Sequence, residues 1–126
     1  EMSLRLQIYR RIAGISRIEE VQAMREELQD RFGNLPNAVQ GLLYQMEVKL
    51  LAQRINATHI MGRDGQLQIK LPYLGEVNRT ALEQQLGEDV RVSRIAITLT
   101  IGDLWRERLV DILRELNADV REGVGL

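Results

Sequence analysis

Thr58-His59-Ile60-Met61, then Gly62-Arg63-Asp64-Gly65, then Leu67-Gln68-Ile69-Lys70-Leu71 is the stretch whose reading decides the fold. Before it, apolar residues recur at helical spacing. Within it they alternate, and an Asp-Gly step lies between the two short runs. That combination signals a β-hairpin. Pro72 ends the second strand, because a proline cannot donate to a sheet ladder. The chain therefore changes from helix to strand at about Ala57, and an all-helical reading fails.

Upstream, three helices are predicted. Met2 to Ala13 carries Leu4, Ile8 and Ile12 at helical spacing, with Leu6 and Tyr9 widening the face. Gly14-Ile15 breaks this pattern. Ser16 stands three residues before Glu19, the spacing of a capping box, and opens a second helix from about Arg17 to Phe32. Its inner stripe reads Ile18, Val21, Met24 or Arg25, Leu28 and Phe32, with Gly33 as a left-handed cap. Pro36 suits the first turn of a third helix running to about Ile55. That helix is apolar on more than one face, as expected of one covered by neighbours, and Asn56 caps it.

Downstream, Asn78 caps a short helix to Leu86, with Ala81, Leu82 and Leu86 inward. Val90, Val92, Ile95, Ile97, Leu99 and Ile101 form one strand, or two joined at Ser93-Arg94. Asp103 caps a last helix to about Asn117, with Leu104, Trp105, Leu109, Ile112, Leu113 and Leu116 inward. The tail 118–126 is expected to fray. These elements make an α+β domain, with N-terminal helices packed with a small antiparallel sheet and a C-terminal helix. No repeat, low-complexity stretch or linker divides it, so residues 1–126 read as a single domain.

The chain has 126 residues, 17 basic and 18 acidic, a formal net charge of -1 and no cysteine. Such a length can bury a core without staples. Disulfides, thiolate metal sites and a Cys nucleophile are excluded. Near-neutral charge argues against wrapping bare nucleic acid. Arg5, Arg10, Arg11 and Arg17 make the first segment locally basic, but one Trp, one Phe and three Tyr offer few stacking platforms. Arg10-Arg11 reads more simply as a solvated helix face. No apolar run approaches a membrane span, and no signal peptide opens the chain. The expected location is cytoplasmic, with no direct nucleic-acid partner and no membrane.

Catalytic chemistry finds little to use. His59 is the lone histidine, in the middle of a predicted strand, and reads as structural or surface. Gly62-Arg63-Asp64-Gly65 lacks a Walker lysine and opens no helix, so it is a turn. No cofactor or metal is expected. The chain opens Glu1-Met2 directly into a helical pattern, which reads as a piece of a longer polypeptide or as a clipped or engineered terminus.

One surface carries an argument. On the predicted second helix, at about 100° per residue, Ile18, Val21, Leu28 and Phe32 share one side. Glu19, Ala23, Glu26, Glu27 and Asp30 share the other. Glu26 and Asp30 are like charges four apart, which weakens an isolated helix. Asp30 also lies near the negative helix end. Two readings stand: a solvated charged face, or an acidic patch that docks arginines of a partner.

Glu26-Glu27-Leu28-Gln29-Asp30-Arg31-Phe32-Gly33-Asn34-Leu35-Pro36 resembles the E-L-x-D-R-F-G-x-L-P signature of the bacterial transcription-repair coupling factors (Mfd). Leu6-Gln7-Ile8-Tyr9-Arg10-Arg11-Ile12-Ala13 is similar to the family's L-x-x-Y-x-R-[IL]-A segment. Leu42-Leu43 and Lys49-Leu50-Leu51-Ala52 add to the likeness, which covers residues 4–60 and is looser beyond. Where the family usually has a longer glycine-rich connection late in the sheet, this chain has Val92-Ser93-Arg94-Ile95.

The resemblance implies a C-terminal α+β domain without activity of its own, in a parent chain that is a DNA-translocating ATPase. It implies a domain that packs on the UvrB-like module of the same parent chain, hides the surface that binds UvrA, and opens when the factor engages stalled RNA polymerase. Glu27 and Asp30 match the two acids of the signature, and the resemblance implies that they face arginines of that module. Glu19 and Ala23 lie on the same face. The competing reading is a freestanding regulatory or dimerisation domain of similar architecture without a repair role.

Overall fold

The element order is α1 (Met2–Ala13), α2 (Ile18–Phe32), α3 (Asn37–Arg54), β1 (His59–Arg63), β2 (Gln66–Lys70), α4 (Arg79–Leu86), β3 (Val90–Val92), β4 (Ala96–Thr100) and α5 (Trp105–Arg121). The structure is a computed structural model and describes residues 2–121. Among them the fold is α+β, as the hairpin signal predicts. Contacts gather into two compact units, residues 1–50 and 51–126. No linker announces that partition, because the boundary falls inside a continuous helix.

In the first unit, α1, α2 and the first part of α3 share a core of Ile12, Ile15, Val21, Leu28, Leu35, Val39, Leu43 and Leu50. Half-buried Ile8, Tyr9, Ile18, Met24, Leu42 and Met46 pack against it. Arg25 sits at the margin of the α2 stripe, where its guanidinium lies 3.6 Å from Glu47, a buried carboxylate of α3. A buried charge is tolerated when it is paired in this way.

The ends of these helices depart from expectation. The Ser16–Glu19 capping box does not form. Arg17 occupies the N-cap of α2 without a side-chain cap bond, and Ser16 Oγ reaches the Glu20 carboxylate at 3.5 Å instead. Phe32, expected inside, is 43% exposed. It ends α2 past the last core position, and the Arg31 guanidinium lies over its ring. Gly33 has the expected positive φ of 74°, but its ψ of -141° is not that of a left-handed helix. Pro36 is one position earlier than expected. Its carbonyl accepts from Val39 and Gln40, so it precedes α3 and does not begin it. Asn56 does cap α3. At φ 59° its N–H donates to Gln53, while the Ala57 N–H donates to Ala52. This paired bonding is a Schellman cap.

The second unit holds a four-stranded antiparallel sheet in the order β1-β2-β4-β3. Asp64 and Gly65 make the β1–β2 turn with φ of 53° and 77°. Positive φ at both positions is what a tight two-residue hairpin needs. Register then stacks the apolar face: Leu67 opposes Leu99, Ile69 opposes Ile97, and Val90 and Val92 oppose Leu99 and Ile97 from the other side. All six are buried. So are Leu82 and Leu86 of α4 and Leu109, Ile112, Leu113 and Leu116 of α5. β1, at the edge, is exposed apart from half-buried Ile60.

The late pattern splits at Ser93-Arg94, one of the two arrangements it allows. Ser93 Oγ accepts from the Ala96 N–H at 3.1 Å and holds the turn. Ile95 and Ile101 lie outside β4 and are 51% and 37% exposed. The alternation continues past the strand ends, where the backbone no longer aims it inward. Ala81, in the first turn of α4, is exposed, and the buried side of that helix is Leu82 and Leu86. α5 begins at Trp105, so Leu104 and not Asp103 precedes it, and Leu104 is 71% exposed. α5 also continues past Asn117 to Arg121, and the remainder of the expected frayed tail lies outside the described residues.

Two polar contacts tie this unit together. Asn78 Oδ1 accepts from the Ala81 N–H at 3.0 Å and caps α4. Arg108 of α5 donates Nε and Nη2 to Asp89 at 2.8 and 2.9 Å, and Nη2 also reaches the Leu86 carbonyl at the end of α4. Gly87, at φ +127°, leaves room for that guanidinium; a Cβ there would lie 2.7 Å from Arg108 Nη2. The hydrogen bonds from Arg108 hold the Asp89 carboxyl below its usual value of 3.8, against the opposing effect of partial burial.

Two outcomes follow for stability. Asn78→Ala removes a cap bond and is expected to destabilise by about 1 kcal/mol, read as a fall of a few degrees in melting temperature. Asp89 has a depressed folded pKa, so its contribution is present above the ordinary value and is lost as pH falls through the folded one. Asp89→Asn is therefore expected to melt below the parent at neutral pH. The gap should narrow as pH drops below 3.8. A gap independent of pH would show that the Asp89 charge contributes nothing.

Candidate protein-interaction site on α2

α2 buries Val21 and Leu28, with Ile18, Met24 and Arg25 half-buried beside them. At about 100° per residue, the side opposite these residues is a narrow stripe of Glu19, Ala23, Glu26 and Asp30. All four are exposed. Glu27 lies at the margin of that stripe and is half-buried. The expected face therefore divides into an outward stripe and a flanking acid.

Glu27 is not a free acid. Arg11 of α1 donates Nη1 to Glu27 Oε2 at 2.6 Å and Nη2 to Oε1 at 2.9 Å. Arg31 lies 3.9 Å from the same carboxylate, one turn along α2. The hydrogen bonds from Arg11 hold the Glu27 carboxyl below the usual carboxylate range, and the charges of Arg11 and Arg31 act in the same direction. Planar guanidinium and planar carboxylate meet here in a fork, the geometry that makes such pairs directional.

The stripe itself is less neutralised. Glu19 Oε2 lies 3.7 Å from Arg17 Nε, both well exposed. Glu26 accepts from Gln22 at 3.2 Å, a neutral donor. Asp30 makes no hydrogen bond or ion pair among the described residues. Ala23, one turn before Glu26 and Glu27, keeps the middle of the stripe low. The result is a shallow surface with uncompensated negative charge toward the C-terminal end of α2. Nothing there is arranged for bond chemistry. What it offers is a set of acceptors for cationic side chains.

Sequence reasoning missed Arg11. The sequence pattern puts it on a solvated basic face, yet it is the main partner of Glu27. The pair is separated by 16 residues, so neither the i,i+4 rule nor a helical wheel connects it. His59 is exposed on β1, in keeping with a surface residue. Among the described residues, no cluster of His, Cys, Asp or Glu could hold a metal ion. None of the described helices is long and apolar enough to cross a membrane.

Comparison with known proteins shows the family. The chain is 25% identical over 131 residues to a transcription-repair-coupling factor of Staphylococcus haemolyticus, covering 92% of this chain and 11% of that protein. It is 38% identical over 60 residues to the factor of Haemophilus influenzae, covering 48% and 5%, and 36% identical over 70 residues to that of Rickettsia conorii, covering 56% and 6%. The chain thus spans about a tenth or less of the length of these relatives. A crystal structure of the C-terminal domain of transcription-repair coupling factor shares the fold, with a TM-score of 0.72 at 18% identity over 98% of this chain and 84% of that one. The TRCF domain family model matches residues 1–82, which include α1, α2 and every residue of the acidic site, and the chain belongs to the TRCF domain family.

Proposed function

We propose that this chain is a non-catalytic, autoinhibitory protein-interaction domain of a transcription-repair coupling translocase, acting in transcription-coupled nucleotide excision repair in the cytoplasm. On this reading it packs on the UvrB-like module of the same parent chain and masks the UvrA-binding surface. RNA polymerase acts on it only indirectly, when its engagement by the parent chain opens the contact. The observation that carries the proposal is the exposed stripe of Glu19, Ala23, Glu26 and Asp30 within the family-matched residues, ending in an acid without a partner among the described residues.

The stripe suits a reversible contact. Charge across an interface sets register and partner choice more than raw affinity. A clamp that must open needs the same property. A small residue at Ala23 lets an opposing backbone or guanidinium approach closely, and the acids on either side fix its position.

Changing both Glu27 and Asp30 to alanine tests the docking role. Asp30 is exposed, and Glu27 loses only a solvent-accessible ion pair, of the kind that contributes little to stability, so melting should move by only a few degrees. Affinity for the UvrB-like module, measured by titration, should fall by roughly 30-fold or more if the acids are desolvated against arginines. Unchanged melting and unchanged affinity would mean that the stripe is merely solvated. Duplex DNA is a second check. With a net charge of -1, few counterions are released on contact, so binding should be no tighter than micromolar near 0.15 M salt, on the order expected for weak non-specific contacts.

A further inference from the structure

We propose that Arg11 is an internal competitor for the docking acid: it occupies Glu27 in the resting domain and gives that carboxylate up when a partner arginine docks on α2. This rests on the docking reading above and adds a control element to it.

Three observations support the exchange. First, Arg11 uses both terminal nitrogens on both oxygens of Glu27. That is the arrangement an incoming arginine would itself adopt, so the two compete for the same lone pairs. With Arg31 at 3.9 Å as well, one carboxylate faces two guanidiniums. An approaching cation therefore meets no net negative charge at Glu27 until Arg11 leaves.

Second, the pair is open to solvent even though Glu27 as a whole is half-buried, with side-chain accessibilities of 45% for Arg11 and 41% for Glu27. Exposed pairs are screened and contribute about fivefold or less to an equilibrium constant. Pairs desolvated inside an interface contribute far more. The internal bond is thus easily replaced by an external one.

Third, Arg11 stands in the last turn of α1. Unsatisfied carbonyls at a helix C-terminus favour a cation there. A released Arg11 keeps that compensation. α1 itself stays anchored by Ile12, which is buried in the first-unit core.

Removing the Arg11–Glu27 salt bridge should strengthen binding. The test is a titration of the whole chain, and of its Arg11→Gln variant, against the arginine-bearing module at low ionic strength. Arg11→Gln should raise affinity by about two- to fivefold, the most that an exposed pair can withhold. Arg11→Lys, which keeps charge but loses the fork, should fall between. In a Glu27→Gln background the gain from Arg11→Gln should vanish, since there is no carboxylate left to release. Thermal melting of each variant reports separately on any structural role.

An Arg11→Gln variant that binds equally or more weakly overturns the competitor role. Asp30→Asn separates that failure from failure of the docking reading. Weakened binding by Asp30→Asn without a gain from Arg11→Gln sinks the competition alone. If neither Asp30→Asn nor Glu27→Gln weakens binding, the docking reading fails and the competition fails with it.

Discussion

Arg11 closes on Glu27 across α1 and α2, and this fork decides what the acidic face of α2 can do. Without it, five acids on one short helix would repel one another and present a diffuse negative surface. With it, the flanking acid is neutralised and held at the α1 side. On the outward stripe the negative charge that remains lies toward its C-terminal end, at Glu26 and Asp30. The core beneath is indifferent to these charges, since Val21 and Leu28 are buried on the opposite side of the same helix. The core and the proposed docking stripe thus share a helix but use different faces of it.

The architecture was legible because two periods dominate the chain. Helical spacing is clear through residues 2–54, and alternation begins where Asp64-Gly65 permits a tight turn. The ends of elements were less legible. Phe32, Ile95, Ile101 and Leu104 all fit an apolar pattern and all end up exposed, because a pattern does not say where the backbone leaves the core. The capping box at Ser16 failed for a related reason: α2 begins at Ile18 with Arg17 at its N-cap, so Ser16 lies one residue outside the cap position, and its hydroxyl donates to the Glu20 carboxylate.

The site was partly legible. A wheel finds the stripe, and the E-L-x-D resemblance singles out Glu27 and Asp30. Neither finds Arg11, nor Arg108 on Asp89, since both pairs join residues distant in sequence. Chemistry at such positions emerges only when the chain is folded. The likeness beyond residue 82 shows the same limit from the other side. β3, β4 and α5 lie outside the family match, although the fold is shared at 18% identity. A sheet face needs only apolar alternation, which Val, Ile and Leu meet interchangeably, so a fold can be shared at low identity.

The central claim is that the outward stripe of α2 is where this domain meets its partner. Backbone amide chemical shifts, recorded for the isotope-labelled chain during titration with the UvrB-like module, test it most directly. The account predicts that the largest changes fall on Glu19, Ala23, Glu26 and Asp30, with Arg11 and Glu27 following as their fork opens. Changes confined to the exposed β1 edge or to α5, with α2 silent, would contradict it.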